Sequence, residues 1–302
     1  MTDESTAFAP GHVTALFAPY PHEDPARAGS RGAGLALSDG VEVTVRKASA
    51  GGAGGQSPSG SGDGDDPADG PRVSLDGDPV GMAAVAGVLT GLGVDAGTEV
   101  DVESDLPVGA GFGVSGAAAL ATALAANDAF GLDRTENELV RVAHVAEVEA
   151  GTGLGDVVAQ FRGGLPLRLE PGAPGQGEFD GLPARPRVEY VTFGELSTAE
   201  VLDGDLDPVR TAGEDALTRL LRDPSLDELL ASARTFAEDA GLLVPEVAEA
   251  VAAAEAEGSA ASMAMLGRTA FALGSGLSDA GYDATACTVH PTGATLRPTE
   301  RE

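Results

Sequence analysis

The chain of 302 residues carries a formal charge of −30, from 48 acidic against 18 basic side chains, and 42% of its residues are hydrophobic. That length allows a sizeable buried core, while the charge argues against general nucleic-acid binding and against attachment to an anionic membrane surface. Cys287 is the only cysteine, which excludes an intrachain disulfide and a cysteine-based metal cluster, and the four histidines are too scattered for a structural zinc site.

Lys47 is the only lysine, so arginine supplies the remaining cations. Arginine with an acidic excess is the pattern of a halophile's cytoplasmic protein, whose carboxylate surface stays solvated at high salt. Periodic apolar segments argue for a folded chain rather than an acidic disordered one. The first residues lack a basic region and an apolar core, and no run of about 18 apolar residues occurs. The expectation is a soluble, cytoplasmic protein.

Residues 7–20, A-F-A-P-G-H-V-T-A-L-F-A-P-Y, read as a strand, a turn at Pro10-Gly11 and a second apolar stretch. Residues 29–38 read as a polar turn carrying Ser30 and Arg31, followed by a strand. Residues 41–47 alternate as its hairpin partner across Asp39-Gly40, a type I′ turn signal. Residues 49–70 hold almost nothing apolar and read as a surface insert. A helix is expected over 78–92, with Val80, Ala83, Ala84, Val88 and Leu92 on its apolar side.

A strand over 98–104 leads into residues 107–118, P-V-G-A-G-F-G-V-S-G-A-A, which open an alanine-rich helix reaching about residue 130. Glycines at a strand-to-helix turn permit close backbone approach, and the free N–H groups of the helix attract an anion. Gly111, Gly113 and Gly116 spell G-x-G-x-x-G, but a dinucleotide fold needs a second strand with an acidic residue roughly 20 positions on, and here helix follows. A P-loop needs Gly-Lys-Ser/Thr, which this chain lacks. A glycine turn without a ligand is the plain alternative.

Thr135 and Glu138 form a capping box for a helix running to about residue 150, which places His144 and Glu147 three apart on one face. Residues 151–164, G-T-G-L-G-D-V-V-A-Q-F-R-G-G, present Asp156 on a glycine-rich turn before an apolar strand or helix. Residues 165–169 read as a strand with Arg168 on the polar side. A strand over 187–193, helices over 207–221, 225–240 and 245–257, and β character at 260–266 and 284–290 complete the chain.

These parts suffice for phosphoryl transfer from ATP, which needs a phosphate cradle, oxygen ligands for Mg²⁺ and a group to orient or deprotonate the acceptor. The loop is the cradle, Ser115 and Glu147 the magnesium ligands, with Glu149 in reserve, and Asp156 the base. Mg²⁺ keeps several waters, so two protein ligands are enough.

The spelling of the loop resembles the second motif of the GHMP kinase superfamily, P-x-G-x-G-L-G-S-S-A-A. Pro107, Gly109, Gly111, Gly113, Ser115, Ala117 and Ala118 stand in register, with Phe112, Val114 and Gly116 as departures. Pro10-Gly11-His12 resembles the first motif, which places His12 near substrate. Glu147 precedes Asp156 by nine positions, and Gly163-Gly164 follows, in the superfamily's order. Residues 262–274, S-M-A-M-L-G-R-T-A-F-A-L-G, replace the usual third motif. Together with G-S-R-G-A-G-L from residue 29 and G-T-G-L-G-D from residue 151, they resemble the archaeal, haloarchaeal-type pantoate kinases.

The resemblance implies an α+β GHMP kinase fold in two lobes. Residues 1–170 would form a mixed β/α ATP-binding lobe with a left-handed-crossover-type β-α unit, and residues 171–302 a C-terminal α+β lobe. It implies ATP and Mg²⁺ as cofactors, with Pro107, Gly109, Ala110, Gly111, Gly113, Val114, Ser115, Gly116 and Ala117 at the nucleotide. It places Ser30, Arg31, His144, Arg168, Thr198 and His12 at pantoate, phosphorylated on its primary hydroxyl toward coenzyme A, in a homodimer. Mevalonate, homoserine or shikimate as substrate, and a non-catalytic nucleotide sensor on the same fold, are the alternatives.

Overall fold

The protein is described here from a computed structural model covering residues 3–47, 70–195 and 206–298. Thr198 and the expected insert, apart from Gly70, lie outside the described residues.

Two long antiparallel strands, β1 (Glu4–Tyr20) and β2 (Gly29–Lys47), form the frame. This corrects the expected turns at Pro10-Gly11 and Asp39-Gly40, because both strands run straight through them. The two turn signals face each other: Pro10 pairs with Gly40, and the register then jumps so that His12 pairs with Ala36. Gly40 has no room for a side chain, since a Cβ there would lie 2.4 Å from Ala9 O. The pair of signals therefore makes a bulge instead of reversing the chain. A second shift lies between Thr14 and Leu16, so His12 and Thr14, two apart on one face, sit between two irregularities.

The same sheet continues through β5 (Thr98–Ser104) to β3 (Arg72–Leu75) and β4 (Asp78–Pro79), and β12 (Thr295–Leu296) pairs with β1 on the other side. β3 and β5 are parallel, connected through α1 (Ala83–Leu92). Helix α1 starts later than expected, because Asp78-Pro79 is strand and Val80 is exposed. β6 (Leu165–Glu170) pairs with the early half of β2 and with β7 (Glu178–Leu182), an element absent from the sequence reading.

Helix α2 (Val114–Phe130) packs against β1, β2, α1 and α3 (Glu136–Ala150). Its alanines are buried on every side, and small side chains allow that close approach. The capping box of α3 is formed as expected, with Thr135 Oγ1 accepting from Glu138 N–H and the Glu138 carboxylate accepting from Thr135 N–H.

A second sheet contains β11 (Thr285–Thr288), β8 (Arg187–Thr192), β10 (Thr269–Leu273) and β9 (Ala261–Ala264), in that order. Helices α5 (Asp207–Arg222), α6 (Leu226–Asp239) and α7 (Pro245–Ala256) follow the expected spans, and a short α8 (Gly276–Asp279) precedes β11. The hairpin of β9 and β10 turns at residues 265–268, where the sequence reading continued a single stretch to 266. Among the described residues, no helix is long and apolar enough to cross a membrane.

Helix α5 rests directly on β1 through Gly213, where a Cβ would lie only 2.0 Å from Phe17 O. Glycine to alanine in a helix ordinarily stabilises by about 1 kcal/mol. Here Gly213→Ala is expected to lower the melting temperature by about 5 °C or more in a thermal scan, because the backbone must separate to admit the methyl group. A rise in melting temperature would contradict the seating of α5.

Candidate active site

The glycine loop leaves β5 and enters α2 with Gly109, Gly111 and Gly113 at φ of 75°, 91° and 63°. Side chains rarely adopt this left-handed region. Gly113 is the N-cap of α2, and no side chain caps the helix, so its first N–H groups remain available to an anion. The loop is braced from behind by residues 265–269. A Cβ at Gly267 would lie 2.0 Å from Ala110 O, and Thr269 Oγ1 donates to the same carbonyl at 2.8 Å. Phe112, the departure at the leucine position, is buried with its ring 4.7 Å from that of Tyr190.

In front of the loop lies a cleft of about 400 Å³. Gly109, Gly111, Gly113, Val114 and Ser115 line it, together with Glu147, Asp156, Thr14, Thr152, Met265 and Leu266. Pro107 is exposed beside it, whereas Ala110, Gly116 and Ala117 are buried behind its wall. Ser115 Oγ donates to Thr152 Oγ1 at 3.1 Å.

Glu147 is 2% exposed, and its Oε1 has no hydrogen-bond partner. Burial, and then the neighbouring Asp156 charge, push its carboxyl well above the usual carboxylate range. The lack of a side chain at Gly116 makes room for it, since a Cβ there would lie 2.6 Å from Glu147 Oε2. A buried carboxylate oxygen without a donor, near an accessible hydroxyl, fits a hard cation such as Mg²⁺. Among the described residues there is no cluster of three His, Cys, Asp or Glu side chains that would form an all-protein cage. Glu149, the reserve residue, is exposed away from the cleft.

Asp156 begins α4 (Asp156–Arg162), so that of the two expected possibilities a helix follows the glycine-rich turn. Its Oδ1 lies 2.6 Å from His12 Nδ1 and accepts from Thr14 Oγ1 at 3.4 Å. Burial pushes its carboxyl up, but the His12 hydrogen bond and the His12 and Arg168 charges outweigh burial, and the net shift is downward. The His12 ring is buried, which lowers its own pKa despite Asp156. The Asp156 carboxylate therefore accepts from His12 Nδ1–H, while burial works against a charge on the imidazole. His12 Nε2 is buried without a partner and points to β2, where a Cβ at Gly34 would lie 2.3 Å away. His12 thus faces Asp156 rather than the open cleft.

Arg168 was expected on the polar side of its strand, but it is 2% exposed and stands opposite Gly32. Burial lowers its pKa, Asp156 raises it, and its Nε has no partner. Ser30 lies beside it: a Cβ at Gly155 would be 2.7 Å from Arg168 Nη1 and 2.9 Å from Ser30 Oγ. Ser30 Oγ donates to Leu154 O at 3.3 Å. Both Ser30 and Arg31 belong to β2 and not to a loop. Arg31 is engaged elsewhere, with Glu214 on α5 at 2.6 Å and with Leu169 O. His144 is buried and donates from Nε2 to Ala28 O at 2.9 Å.

The sequence reading missed Thr14, Thr152 and Gln160, and it reached Met265 and Leu266 only as part of the 262–274 segment. Thr14 was accessible to it as the residue two beyond His12 on a strand, and Gln160 as the residue four beyond Asp156 on a helix.

Residues 82–164 match the GHMP kinases N terminal domain. Pantoate kinase of Thermococcus kodakarensis is 38% identical over 276 residues, 88% of this chain and 86% of that protein. Pantoate kinase of Methanospirillum hungatei is 32% identical over 269 residues, 89% and 87% respectively. A solved structure described as a "Phosphotransferase related to CoA biosynthesis pathway" superposes with a TM-score of 0.83 at 32% identity, covering 97% of this chain and 98% of that one. With that identity sustained over most of its length, the chain belongs to the pantoate kinase family of the GHMP kinases.

Proposed function

We propose that the protein transfers the γ-phosphoryl group of ATP to the primary hydroxyl of (R)-pantoate, giving 4-phosphopantoate and ADP for coenzyme A synthesis. The observation that carries this reading is the placement of Asp156: a carboxylate with one oxygen held by His12 and Thr14, in the cleft that begins at the uncapped start of α2. The substrate identity rests on the family relationship.

In this reading residues 107–117 cradle the phosphates with backbone N–H groups. Mg²⁺, bound by Glu147 and Ser115, would neutralise charge on the phosphates. Asp156 takes the proton of the attacking hydroxyl on Oδ2, the hydroxyl oxygen bonds to the γ-phosphorus, and the bond to the β,γ-bridging oxygen breaks to release ADP. His12, donating to Oδ1, keeps Asp156 ionised and oriented and does not touch substrate. Arg168, a buried cation short of partners, receives the pantoate carboxylate, and Ser30 lies beside it. His144 supports that pocket by holding the Ala28 carbonyl two residues before Ser30, while Arg31 serves to dock α5. Residues 1–170 act as the ATP-binding lobe, and residues 171–302 form the second lobe, which braces the glycine loop through residues 265–269. The acidic surface suits a cytoplasm of high potassium concentration, so activity should be higher in molar KCl than at low salt.

Asp156→Asn is expected to lower kcat by about 100-fold or more with little change in KM for ATP, read by ADP release; an unchanged kcat removes Asp156 from the chemistry. Ser115→Ala should raise the Mg²⁺ concentration needed for half-maximal rate, and an unaltered magnesium titration would remove Ser115 from the metal site. Arg168→Met should raise KM for pantoate by about 10- to 100-fold, leaving KM for ATP nearly unchanged. If mevalonate, homoserine or shikimate supports turnover and pantoate does not, the site assignment stands and the substrate is wrong.

A further inference from the structure

Gln160 lies one turn after Asp156 on α4, among Val157, Val158 and Ala159, and is completely buried. An amide in such surroundings costs stability unless its polar atoms are used, and a leucine or methionine would fill the volume at lower cost. Its Nε2 donates to Gly113 O at 2.8 Å. The same carbonyl accepts the first helical hydrogen bond of α2, from Ala117 N–H at 3.0 Å. Gly113 is in the left-handed region at the helix start, so this side chain holds in place the peptide that aims the loop's N–H groups.

The bond also joins two halves of the site. Gly113 has Gln160 Nε2 and the Asp156 side chain against the same face, at 2.9 Å and 3.1 Å from a Cβ placed there. At its far end α4 is anchored by Ala294 N–H, which donates to Gln160 O at 3.1 Å. Gln160 Oε1 has no partner and turns toward Gly116 and Glu147, 3.0 Å from a Cβ on Gly116.

We propose that Gln160 is a positioning residue that pins the phosphate-binding glycine loop to the helix bearing Asp156, fixing the nucleotide cradle in register with the base. The proposal rests on the reading of residues 107–117 as the ATP cradle.

The test uses Gln160→Met, which keeps volume and removes the donor, and Gln160→Asn, which keeps the amide but withdraws it by one methylene. Steady-state kinetics, thermal melting and calorimetric binding of a non-hydrolysable ATP analogue with Mg²⁺ are compared with the wild type. The Met variant should raise KM for ATP and the analogue's Kd about tenfold, reduce kcat, and leave KM for pantoate within about twofold. The Asn variant should move the same parameters in the same direction, and decides the matter if the Met variant does not fold. Unchanged nucleotide parameters, or ATP and pantoate KM rising together with a fallen melting temperature, would overturn it. Absence of pantoate turnover in the wild type would reject the substrate reading alone, since analogue binding still reports on the pin.

Discussion

The hydrogen bond between His12 and Asp156 is the contact on which the geometry of the cleft depends. It joins the first strand of the chain to a helix 144 positions later, and it does so at the cleft wall, with the His12 ring buried and Asp156 partly exposed. A carboxylate there needs a donor, and an imidazole with its other nitrogen buried against β2 supplies one from Nδ1. The bulge at Pro10 and Gly11 and the shift after Thr14 turn His12 and Thr14 together toward Asp156. Backbone irregularity in the strand thus becomes orientation of one carboxylate oxygen.

The neighbouring titratable groups belong to the same balance. Glu147 and Arg168 are each about as buried as core valines, and neither has a full complement of partners. Isolated, such groups cost several kcal/mol each, and an ordinary core would exclude them. The cost is offset by the apolar mass around α2 and the long strands, and it leaves Glu147 Oε1 and Arg168 Nε without partners. Under the proposed function, a magnesium-bound nucleotide and a hydroxy acid would meet those two deficits. The same argument covers Gln160, whose amide is placed where only the glycine loop uses it.

Much of this was legible in the residues, and what was not has identifiable physical causes. β5 and the capped start of α3 were readable because alternation and the Thr135 to Glu138 box are local signals. The glycine loop was readable because its conformation requires glycine at set positions. Pro10-Gly11 and Asp39-Gly40 misled because each is a turn signal alone and only their opposition across two strands makes a bulge. Arg168 misled because strand alternation assigns an arginine to water, whereas here the opposite residue is Gly32 and the site supplies its environment. His12 was expected near substrate by motif position; the engagement of its Nδ1 by Asp156 is a contact that no local pattern encodes. Arg31, similarly, is claimed by Glu214 from a distant helix.

The most direct measurement is identification of the phosphorylated product. Purified protein with Mg-ATP and (R)-pantoate would be followed by ³¹P NMR with proton coupling and by mass spectrometry. The account predicts one product, a phosphate monoester coupled to the two protons of the C4 methylene, formed in step with ADP. A phosphate on the C2 hydroxyl, an acyl phosphate on the carboxylate, or ADP without any phosphorylated pantoate would contradict the placement of Asp156 at the primary hydroxyl and Arg168 at the carboxylate.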